Sequence, residues 1–260
     1  ATFIPNGHIL GSAAIYLEID EISEQTTLLY TGDIGRPNSS LICDPQIPPQ
    51  ADIVICESTY GDRLHDKTVD AEQQLLSTIL HTIKEKKGKL IIPAFSLGRT
   101  QEIVFSLNKL DLHGLLPNVK IYVDSPLAVD ATWITKYFKN DLNREIQRFS
   151  RSRPDPFGFG KLEYVKTKED SQKINSSKTP SIIISASGMA DAGRVKHHIY
   201  HAIEDPKNTI LFVGYAEPLS LGGKLQNGES PVTIFGDSKE VKAEIKIINS
   251  MSAHADFKEM

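Results

Sequence analysis

Four side chains that could bind a metal ion or transfer a proton lie directly after apolar segments or within glycine turns. His8 lies between two glycines in the segment NGHILGSA, and Asp33 follows an apolar run in the segment TGD. Glu57 follows a second apolar run in CESTYG, and His254 lies among small residues in SAHAD. Imidazole nitrogens and carboxylate oxygens are zinc ligands, and histidine also transfers protons near neutral pH. The four positions therefore define a candidate metal or acid–base site.

Each of these residues also has a simpler explanation when it is taken alone. His8 is then a structural or surface histidine, and Asp33 is a turn residue that caps its own loop. Glu57 can accept a hydrogen bond from a histidine and fix the orientation of its ring, whereas Ser58 and Thr59 beside it are ordinary turn residues. These alternatives stay open at the level of single residues.

Two glycine-bearing turns are candidates for phosphate binding. The segment PAFSLGR, which ends at Arg99, and the segment SASGM, from Ser185 to Met189, each lead from a predicted strand into a predicted helix. Free N–H groups at a helix N-terminus attract phosphate, and an arginine can add a bidentate contact. In this interpretation Arg99, Ser185, Ser187, Gly188 and Met189 contact phosphate. Three further histidines, at 197, 198 and 201, resemble a metal cluster, but their helical spacing favours an exposed helix face.

The elements that must position these residues alternate between strand and helix. The pattern predicts strands at 13–19, 28–30, 53–56, 90–92, 119–123, 182–184 and 209–213, and helices at 69–87, 98–110, 126–138 and 190–203. Such alternation is typical of an α/β fold with a parallel sheet. The segment 140–180 has prolines, glycines and few apolar runs, and it predicts a surface excursion. Residues 144–178 carry 9 Lys/Arg and 5 Asp/Glu, a basic bias that a solvated loop explains more simply than a binding patch.

The overall composition excludes several classes of protein. With 260 residues, 40% of them hydrophobic and 24% charged, the chain is neither disordered nor fibrous. No apolar run approaches the roughly 18 residues of a membrane helix, and no signal peptide pattern is present. A net charge of −4 argues against a wholly basic binder but allows a local basic patch. Cys43 and Cys56 are too few for a disulfide framework and fit a reducing compartment such as the cytoplasm.

Taken in order, the segments GHILGSA, TGD, CESTYG, IPAFSLGR, SASGM, GY and SAHAD resemble the β-CASP group of metallo-β-lactamase-fold nucleases. This group includes the cleavage-and-polyadenylation endonuclease and archaeal and bacterial ribonucleases. The resemblance implies an α/β protein in which part of an αββα metallo-β-lactamase sandwich is interrupted by an inserted α/β β-CASP domain. Residues 1–61 and 242–260 would belong to the first domain and 62–241 to the insert, with the active site in the cleft between them.

The resemblance also implies roles for single residues. His8 and Asp33 match metal ligands of the family, and Asp33 matches the carboxylate that bridges two zinc ions. Glu57 matches an acidic residue that holds a histidine ring, and His254 matches the histidine that gives a proton to the leaving group. The turn from Ser185 to Met189 matches a phosphate-contacting turn. The implied partner is RNA, single-stranded in our interpretation, without a membrane and with a possible homodimer.

The sequence departs from the family pattern at several places. The family's His-x-His-x-Asp-His motif and the late histidine of its motif C are absent, and Glu217-Pro218-Leu219-Ser220 replaces the usual Gly-Thr. Because the chain begins at Ala1 without methionine, we interpret it as an internal fragment, although processing would give the same start. With His8 and Asp33 as its metal ligands, the fragment is expected to bind zinc weakly and to cleave RNA poorly or not at all, because catalytic zinc needs about three protein ligands.

The resulting hypothesis is a zinc-dependent ribonuclease, in which two zinc ions lower the pKa of a shared water for attack on phosphorus. Three alternatives remain: a catalytically silent RNA-binding scaffold, a small-molecule metallohydrolase of the same superfamily, and a metal-free α/β binding domain. The four retained residues argue against the first, and the inserted domain argues against the second. The third leaves the ordered motifs unexplained.

Overall fold

The computed structural model describes residues 1–22, 24–62, 64 and 71–260, without the side chain of Ser250. The chain forms two compact units. The first consists of Ala1–His65, Phe138–Pro154 and Ser252–Met260, and the second of Asp66–Tyr137 and Asp155–Met251. The chain enters the second unit close to the predicted boundary at residue 61. Residues 242–251, which we expected in the first domain, belong to the second unit, and residues 138–154, expected in the insert, belong to the first.

The first unit is built on a four-stranded mixed sheet. Its strands are β1 (Thr2–Pro5), β2 (Ala13–Asp20), β3 (Gln25–Tyr30) and β4 (Ile53–Ile55), in the order β1-β2-β3-β4. The pairs β1–β2 and β2–β3 are antiparallel, whereas β3 and β4 are parallel. Ile4, Ala14 and Leu29 form a small core, with Tyr16 and Ala51 packed against it. All three residues of the edge strand β4 are exposed.

A short helical segment completes this unit. After the 3₁₀ turn Lys139–Asp141 comes α4 (Arg144–Ser152), whose N-cap Asn143 accepts a hydrogen bond from the Ile146 N–H. A single antiparallel bridge joins Ile42 to Leu142, and the Asn143 N–H donates to the Leu41 carbonyl. The residues expected to form only a surface excursion therefore dock on the loop that follows β3.

The second unit contains a six-stranded, wholly parallel sheet. Its strands are β5 (Leu90–Pro93), β6 (Lys120–Val123), β7 (Leu162–Tyr164), β8 (Ser181–Ser185), β9 (Thr209–Phe212) and β12 (Glu244–Ile247), in the order β12-β9-β5-β8-β6-β7. A hairpin of β10 (Val232–Ile234) and β11 (Asp237–Lys239) pairs separately. The predicted α/β class is confirmed, since every pair within the large sheet is parallel. The central strands β5, β8 and β9 are buried along their whole length, as expected when both faces of a parallel sheet are covered.

Six helices accompany this sheet: α1 (Ala71–Leu80), α2 (Arg99–Leu112), α3 (Pro126–Tyr137), α5 (Lys168–Ser176), α6 (Arg194–Ala202) and α7 (Leu221–Gln226). α1 continues into a π-helical turn at His81–Glu85. The predicted start of this helix at Val69 and Asp70 lies outside the described residues. Strand β7 and helix α5 lie within the predicted excursion, so that prediction is wrong for them: Leu162–Tyr164 pairs with β6, and Ile174 of α5 is buried.

Strand β12 explains why the chain leaves the second unit later than expected. The Glu244 carboxylate lies 3.0 Å from the Lys86 Nζ and 3.1 Å from the His81 Nε2. The N–H groups of Lys242 and Ala243 both donate to the Ile203 carbonyl. These contacts, together with the pairing of β12 with β9, place residues 242–247 in the second unit. The apolar residues at 245–248 therefore extend the core of the second unit rather than that of the first.

Candidate metal and acid–base site

Three possible metal ligands converge within the first unit. His8, Asp33 and His254 each offer an atom, and these atoms all lie within 4.8 Å of one another. The His8 Nε2 is 3.8 Å from the Asp33 Oδ2, and the rings of His8 and His254 have centroids 4.6 Å apart. Within the part of the chain that the structure describes, no other group of histidine, cysteine, aspartate or glutamate residues has this geometry. Residues 246 positions apart in sequence therefore share one site.

The loop that carries His8 is held by its polar neighbours. It follows β1, and the buried Asn6 donates its side-chain N–H to the Thr31 carbonyl at 2.9 Å, just beyond the end of β3. The Ser12 hydroxyl donates to the Asn6 Oδ1 and closes the loop from its other end. Sequence reasoning missed Asn6 and Ser12, although an asparagine and a serine flanking a glycine-bracketed histidine are typical loop-closing residues.

Two glycines allow the loops of His8 and Asp33 to cross. Gly7 has a positive φ of 73°, which favours glycine. A Cβ on Gly35 would lie 1.9 Å from the carbonyl carbon of Gly7, so no larger residue fits there. The Gly35 N–H donates to the Asn6 carbonyl at 2.7 Å across this crossing. Close backbone approach thus brings the two loops together.

The orientation of the His8 ring suits a metal ligand. Its Nδ1 lies 3.4 Å from the Ala253 carbonyl, while its Nε2 faces Asp33. If Nδ1 carries the proton and donates it to that carbonyl, Nε2 keeps its lone pair for a metal. Burial lowers the pKa of His8 below its ordinary value and the neighbouring His254 lowers it further, while Asp33 acts in the opposite direction. The lowered pKa favours the neutral ring, which is the form that coordination requires.

Glu57 is fully engaged in holding His254. Its Oε2 lies 3.0 Å from the His254 Nδ1, the hydrogen bond expected from the sequence. Its Oε1 accepts a hydrogen bond from the Ile34 N–H, and its own N–H donates to the Thr31 hydroxyl. The Glu57 side chain is only 7% exposed, and each of its two oxygens accepts a hydrogen bond. Its contact with Nδ1 fixes the orientation of the His254 ring.

The C-terminal segment is fastened beside the same site. Gly35 and His254 form an antiparallel bridge, and the Ala255 N–H donates to the Ile34 carbonyl at 2.8 Å. The Arg36 guanidinium pairs with the Glu259 carboxylate at 3.1 Å. These contacts hold His254 against the Asp33 loop.

The donor set fits a divalent metal ion. Two imidazoles and one carboxylate form a common three-residue site that leaves one position for water or substrate. The Asp33 side chain is 60% exposed, so solvent reaches the site. His254 could bind the metal or donate a proton. In both roles one ring nitrogen is bonded to a carboxylate, here Nδ1 to Glu57, and the other ring nitrogen does the chemistry. Sequence reasoning counted two ligands, His8 and Asp33, and the structure adds a third donor beside them.

The proposed phosphate contacts of the second unit differ in their availability. Arg99 begins α2, is 9% exposed and pairs with Glu102, so its guanidinium is already occupied. The Ser185 hydroxyl is buried and donates to the Asp124 carbonyl at 2.7 Å. Ser187, Gly188 and Met189 are partly exposed. Of the predicted set, these three are the residues that a ligand can reach.

The loop around Gly188 is not the helix N-terminus that the sequence predicted. Helix α6 begins at Arg194 rather than at residue 190, and the Val195 N–H donates to the Ala186 carbonyl. A Cβ on Gly188 would lie 2.9 Å from the Phe95 ring, so the SASGM and PAFSLGR turns are in contact. Loops at the carboxyl ends of β5 and β8 meet here, which is where open parallel sheets bind ligands.

A buried polar network beside these loops was missed in the sequence. Asp124, directly after β6, is fully buried and accepts hydrogen bonds from His198, from Arg194 and from the Ser171 hydroxyl. Its place after an apolar strand, like that of Asp33 and Glu57, is the signal that could have found it. Burial raises the pKa of Asp124, but the hydrogen bonds from His198, Ser171 and Arg194 outweigh burial and keep that pKa below its ordinary value.

This network corrects one prediction. His198 does not lie on an exposed helix face: it is 1% exposed, and its ring joins Asp124 at 2.7 Å to Asn175 at 2.6 Å. His197 and His201 are exposed, as predicted. Helical spacing alone does not distinguish the exposed face of α6 from its buried face, because the buried face also carries a polar residue, His198, with polar partners.

No helix among the described residues is both long and apolar enough to cross a bilayer. The two cysteines are free thiols, and both are exposed.

Comparison with known proteins gives consistent matches. Residues 100–225 match the model of the Beta-Casp domain. The chain is 33% identical over 255 residues to Ribonuclease TTHA0252 of Thermus thermophilus and 38% identical over 259 residues to an RNase J-like protein of Methanocaldococcus jannaschii, with 98% of this chain covered in each case. It is also 30% identical over 260 residues to Cleavage and polyadenylation specificity factor 73 of Drosophila melanogaster, over 97% of this chain. It spans 57%, 58% and 36% of the lengths of these three relatives.

Proposed function

Because this chain belongs to the β-CASP family of nucleases, we propose that it carries part of the machinery of a metal-dependent enzyme that hydrolyses RNA phosphodiester bonds. The observation that carries the proposal is the convergence of His8, Asp33 and His254, with the His254 ring held by Glu57. Relatives named as ribonucleases support the choice of RNA as substrate.

The metal of the proposal is zinc. Bound zinc lowers the pKa of a water molecule and stabilises negative charge on phosphate oxygens. His8 and Asp33 would hold it, since the Nε2 of His8 and the carboxylate of Asp33 face each other. The resemblance to the family implies two zinc ions, whereas His8, Asp33 and His254 together offer the donors of one site.

The residues of the chain have separate tasks in the reaction. His254 gives a proton from Nε2 to the departing ribose oxygen, which avoids release of an unstable alkoxide. Glu57 accepts from Nδ1, fixes the tautomer that leaves Nε2 facing the site, and stabilises the ring while it is charged. Asp33 stays exposed beside them, where substrate can approach.

The substrate of the proposal is single-stranded RNA. An extended strand exposes its phosphates and bases to loops that a rigid duplex cannot enter. In the second unit the backbone at Ser187, Gly188 and Met189 is the surface we propose for phosphate contact, while Arg99 and Ser185 support these loops from within. A cytoplasmic location is proposed on the free thiols, and a homodimer is a further proposal that light scattering would test.

The experiment measures zinc uptake and RNA cleavage together. Calorimetry of this chain should give one zinc site that is lost in Asp33→Ala and retained in Glu18→Ala, an exposed control on β2. Cleavage of a labelled single-stranded RNA, with protein in excess and zinc added, should be slow in the wild type and absent in Asp33→Ala. Absence of zinc binding, or cleavage that survives Asp33→Ala, would contradict the proposal. RNA binding without zinc uptake would instead favour the silent scaffold.

A further inference from the structure

Helix α4 presents three arginines on one face. Arg144, Arg148 and Arg151 occupy positions i, i+4 and i+7, which lie above one another on an α-helix. All three are exposed. With a rise of about 1.5 Å per residue, they span about 10 Å along the helix axis.

The opposite face of α4 is anchored in the first unit. Ile146 is 1% exposed and the preceding Leu142 is fully buried. The Asn143 N–H donates to the Leu41 carbonyl at 3.0 Å, and the Asn143 side chain donates to the Ser39 carbonyl. The arginines therefore stand on a helix with a fixed orientation within its unit.

The charge of this face is not compensated. Among the described residues, none forms an ion pair or hydrogen bond with the side chains of Arg144, Arg148 and Arg151. Other exposed lysines have such partners, since Lys166 pairs with Asp130 and Lys173 with Asp170. Like charges at positions i and i+4 of a helix repel one another, so a polyanion that meets this face relieves an unfavourable interaction.

We propose that the arginine face of α4 binds the phosphate backbone of single-stranded RNA and so forms a docking surface additional to the metal site. This proposal rests on the proposed function, because it takes the same substrate class. Guanidinium groups pair with phosphate oxygens through two parallel hydrogen bonds, which makes arginine well suited to this task. The three guanidinium groups follow one another along the helix, so they can contact successive phosphates of one flexible strand.

RNA fits this face better than a folded protein partner does. The exposed positions of α4 are charged or polar, and its apolar residues Ile146 and Phe149 are turned inward or half-buried. A protein interface needs an apolar centre for its affinity, whereas a nucleic-acid backbone needs only fixed positive charge. Contacts of this kind should carry no sequence preference.

The test compares RNA binding by charge-matched variants. Fluorescence anisotropy with a labelled single-stranded RNA is measured in the presence of a chelator, so the result does not depend on the metal site. The variant R144Q/R148Q/R151Q should bind at least about tenfold more weakly at low salt, and its slope of log K against log [salt] should be less negative by about 2. The triple lysine variant R144K/R148K/R151K should retain most of the affinity.

The matched control removes three exposed lysines of the second unit, in K84Q/K178Q/K207Q. This variant should bind RNA within about threefold of the wild type. An equal loss of RNA affinity in both glutamine variants would show that only net charge matters and would overturn the proposal. Unchanged RNA binding by R144Q/R148Q/R151Q would also overturn it. Competition by polyglutamate as strong as that by RNA of equal charge would assign the face to acidic protein segments and also overturn it. Zinc titration of the arginine variant should match the wild type, so failure of the metal site would be detected separately.

Discussion

At the scale of single residues, the site depends on which atoms are already occupied. Glu57 uses both carboxylate oxygens, one on the Ile34 N–H and the other on the Nδ1 of the His254 ring. His8 is oriented by the Ala253 carbonyl in the same manner. The two histidines thus differ in their partners, and the proposed role of His254 as proton donor fits this difference because a carboxylate stabilises a charged ring.

His254→Gln should separate proton donation from metal binding. If His254 is the proton donor, zinc affinity should stay within about threefold of the wild type, while the RNA cleavage rate falls by about 10²-fold or more. His8→Gln should instead weaken zinc binding by at least about tenfold. Calorimetry and single-turnover cleavage measure the two effects, with the exposed His201→Gln as control. A large loss of zinc affinity in His254→Gln would make this residue a ligand.

Asp124 predicts a specific dependence of stability on pH. Its folded-state pKa is below the ordinary value, so its contribution to stability is present above about pH 4, the ordinary pKa of aspartate, and is lost as pH falls through the lower, folded-state pKa. Asp124→Asn should destabilise the second unit by about 3 kcal/mol at pH 7, because Arg194 and His198 lose a buried partner. The difference in the free energy of unfolding between the wild type and Asp124→Asn should become smaller below pH 4.

Urea unfolding at pH 7 and at pH 3 would measure this change. Asp130→Asn is the control, since Asp130 and its partner Lys166 are both exposed and an exposed pair contributes about 0–1 kcal/mol. A difference between Asp124→Asn and the wild type that stays constant from pH 7 to pH 3 would contradict the interpretation.

The sequence singled out four residues that lie close together in the structure, but it did not predict the residues around them. His8, Asp33 and Glu57 could be found because each follows or lies within a recognisable apolar or glycine-rich segment, and His254 because of the ordered motifs. Partners far away in sequence, such as Ala253 for His8, depend on loop crossing that no local pattern encodes. The ion pair between Arg99 and Glu102 could not be predicted from the sequence either, because a glutamate three residues further along the helix could equally have faced solvent.

At the scale of elements, apolar periodicity predicted the buried strands and the helices that pack on them. The strands β5, β8 and β9 are wholly apolar or nearly so, and their predicted bounds differ from the observed ones by one residue at most. Elements with few buried residues were missed: α4 buries Ile146 alone, and α5 buries Ser171 and Ile174. Their N-caps Asn143 and Thr167 were local signals that a search for caps would have used.

The crossing of the His8 and Asp33 loops can be tested at Gly35. Gly35→Ala puts a Cβ within 1.9 Å of the Gly7 backbone, so the loops must separate. We expect destabilisation of the first unit by at least about 3 kcal/mol and loss of zinc binding, since backbone atoms cannot yield as a flexible side chain does. Gly160→Ala is the control, because a Cβ there meets nothing within 4 Å. Thermal unfolding and zinc titration of both variants decide the matter, and normal zinc binding by Gly35→Ala would show that the crossing is not required.

At the scale of the whole molecule, the two units have very unequal cores. One cluster of the second unit contains 16 buried residues, including Phe212, Leu225 and Ile183, whereas the cluster on the first unit's sheet has three. Burial of apolar surface is the main source of stability, so the first unit should be the weaker of the two. The metal site, however, belongs wholly to that unit.

Heating should therefore produce two transitions, the first of which responds to zinc. A ligand that binds only folded protein adds RT ln(1 + [L]/Kd), about 2.7 kcal/mol at 100 times Kd. Zinc should raise the midpoint of the first transition and leave the second unchanged, as followed by calorimetry. In Asp33→Ala the shift should vanish. A single transition, or an equal shift of both, would show that the units unfold together.

The exposed edge strand β4 has a consequence for the behaviour of the protein in solution. Ile53, Val54 and Ile55 offer three β-branched apolar side chains, each about half exposed, on a strand that ends the sheet. Among the residues that the structure describes, no strand pairs with the outer edge of β4, and such an edge can take up a strand from another molecule because nothing in the triplet carries a charge to prevent it. The same three residues that place Glu57 at the site thus make the protein prone to aggregate as its concentration rises. A lysine at Val54 would act as a gatekeeper and increase its solubility.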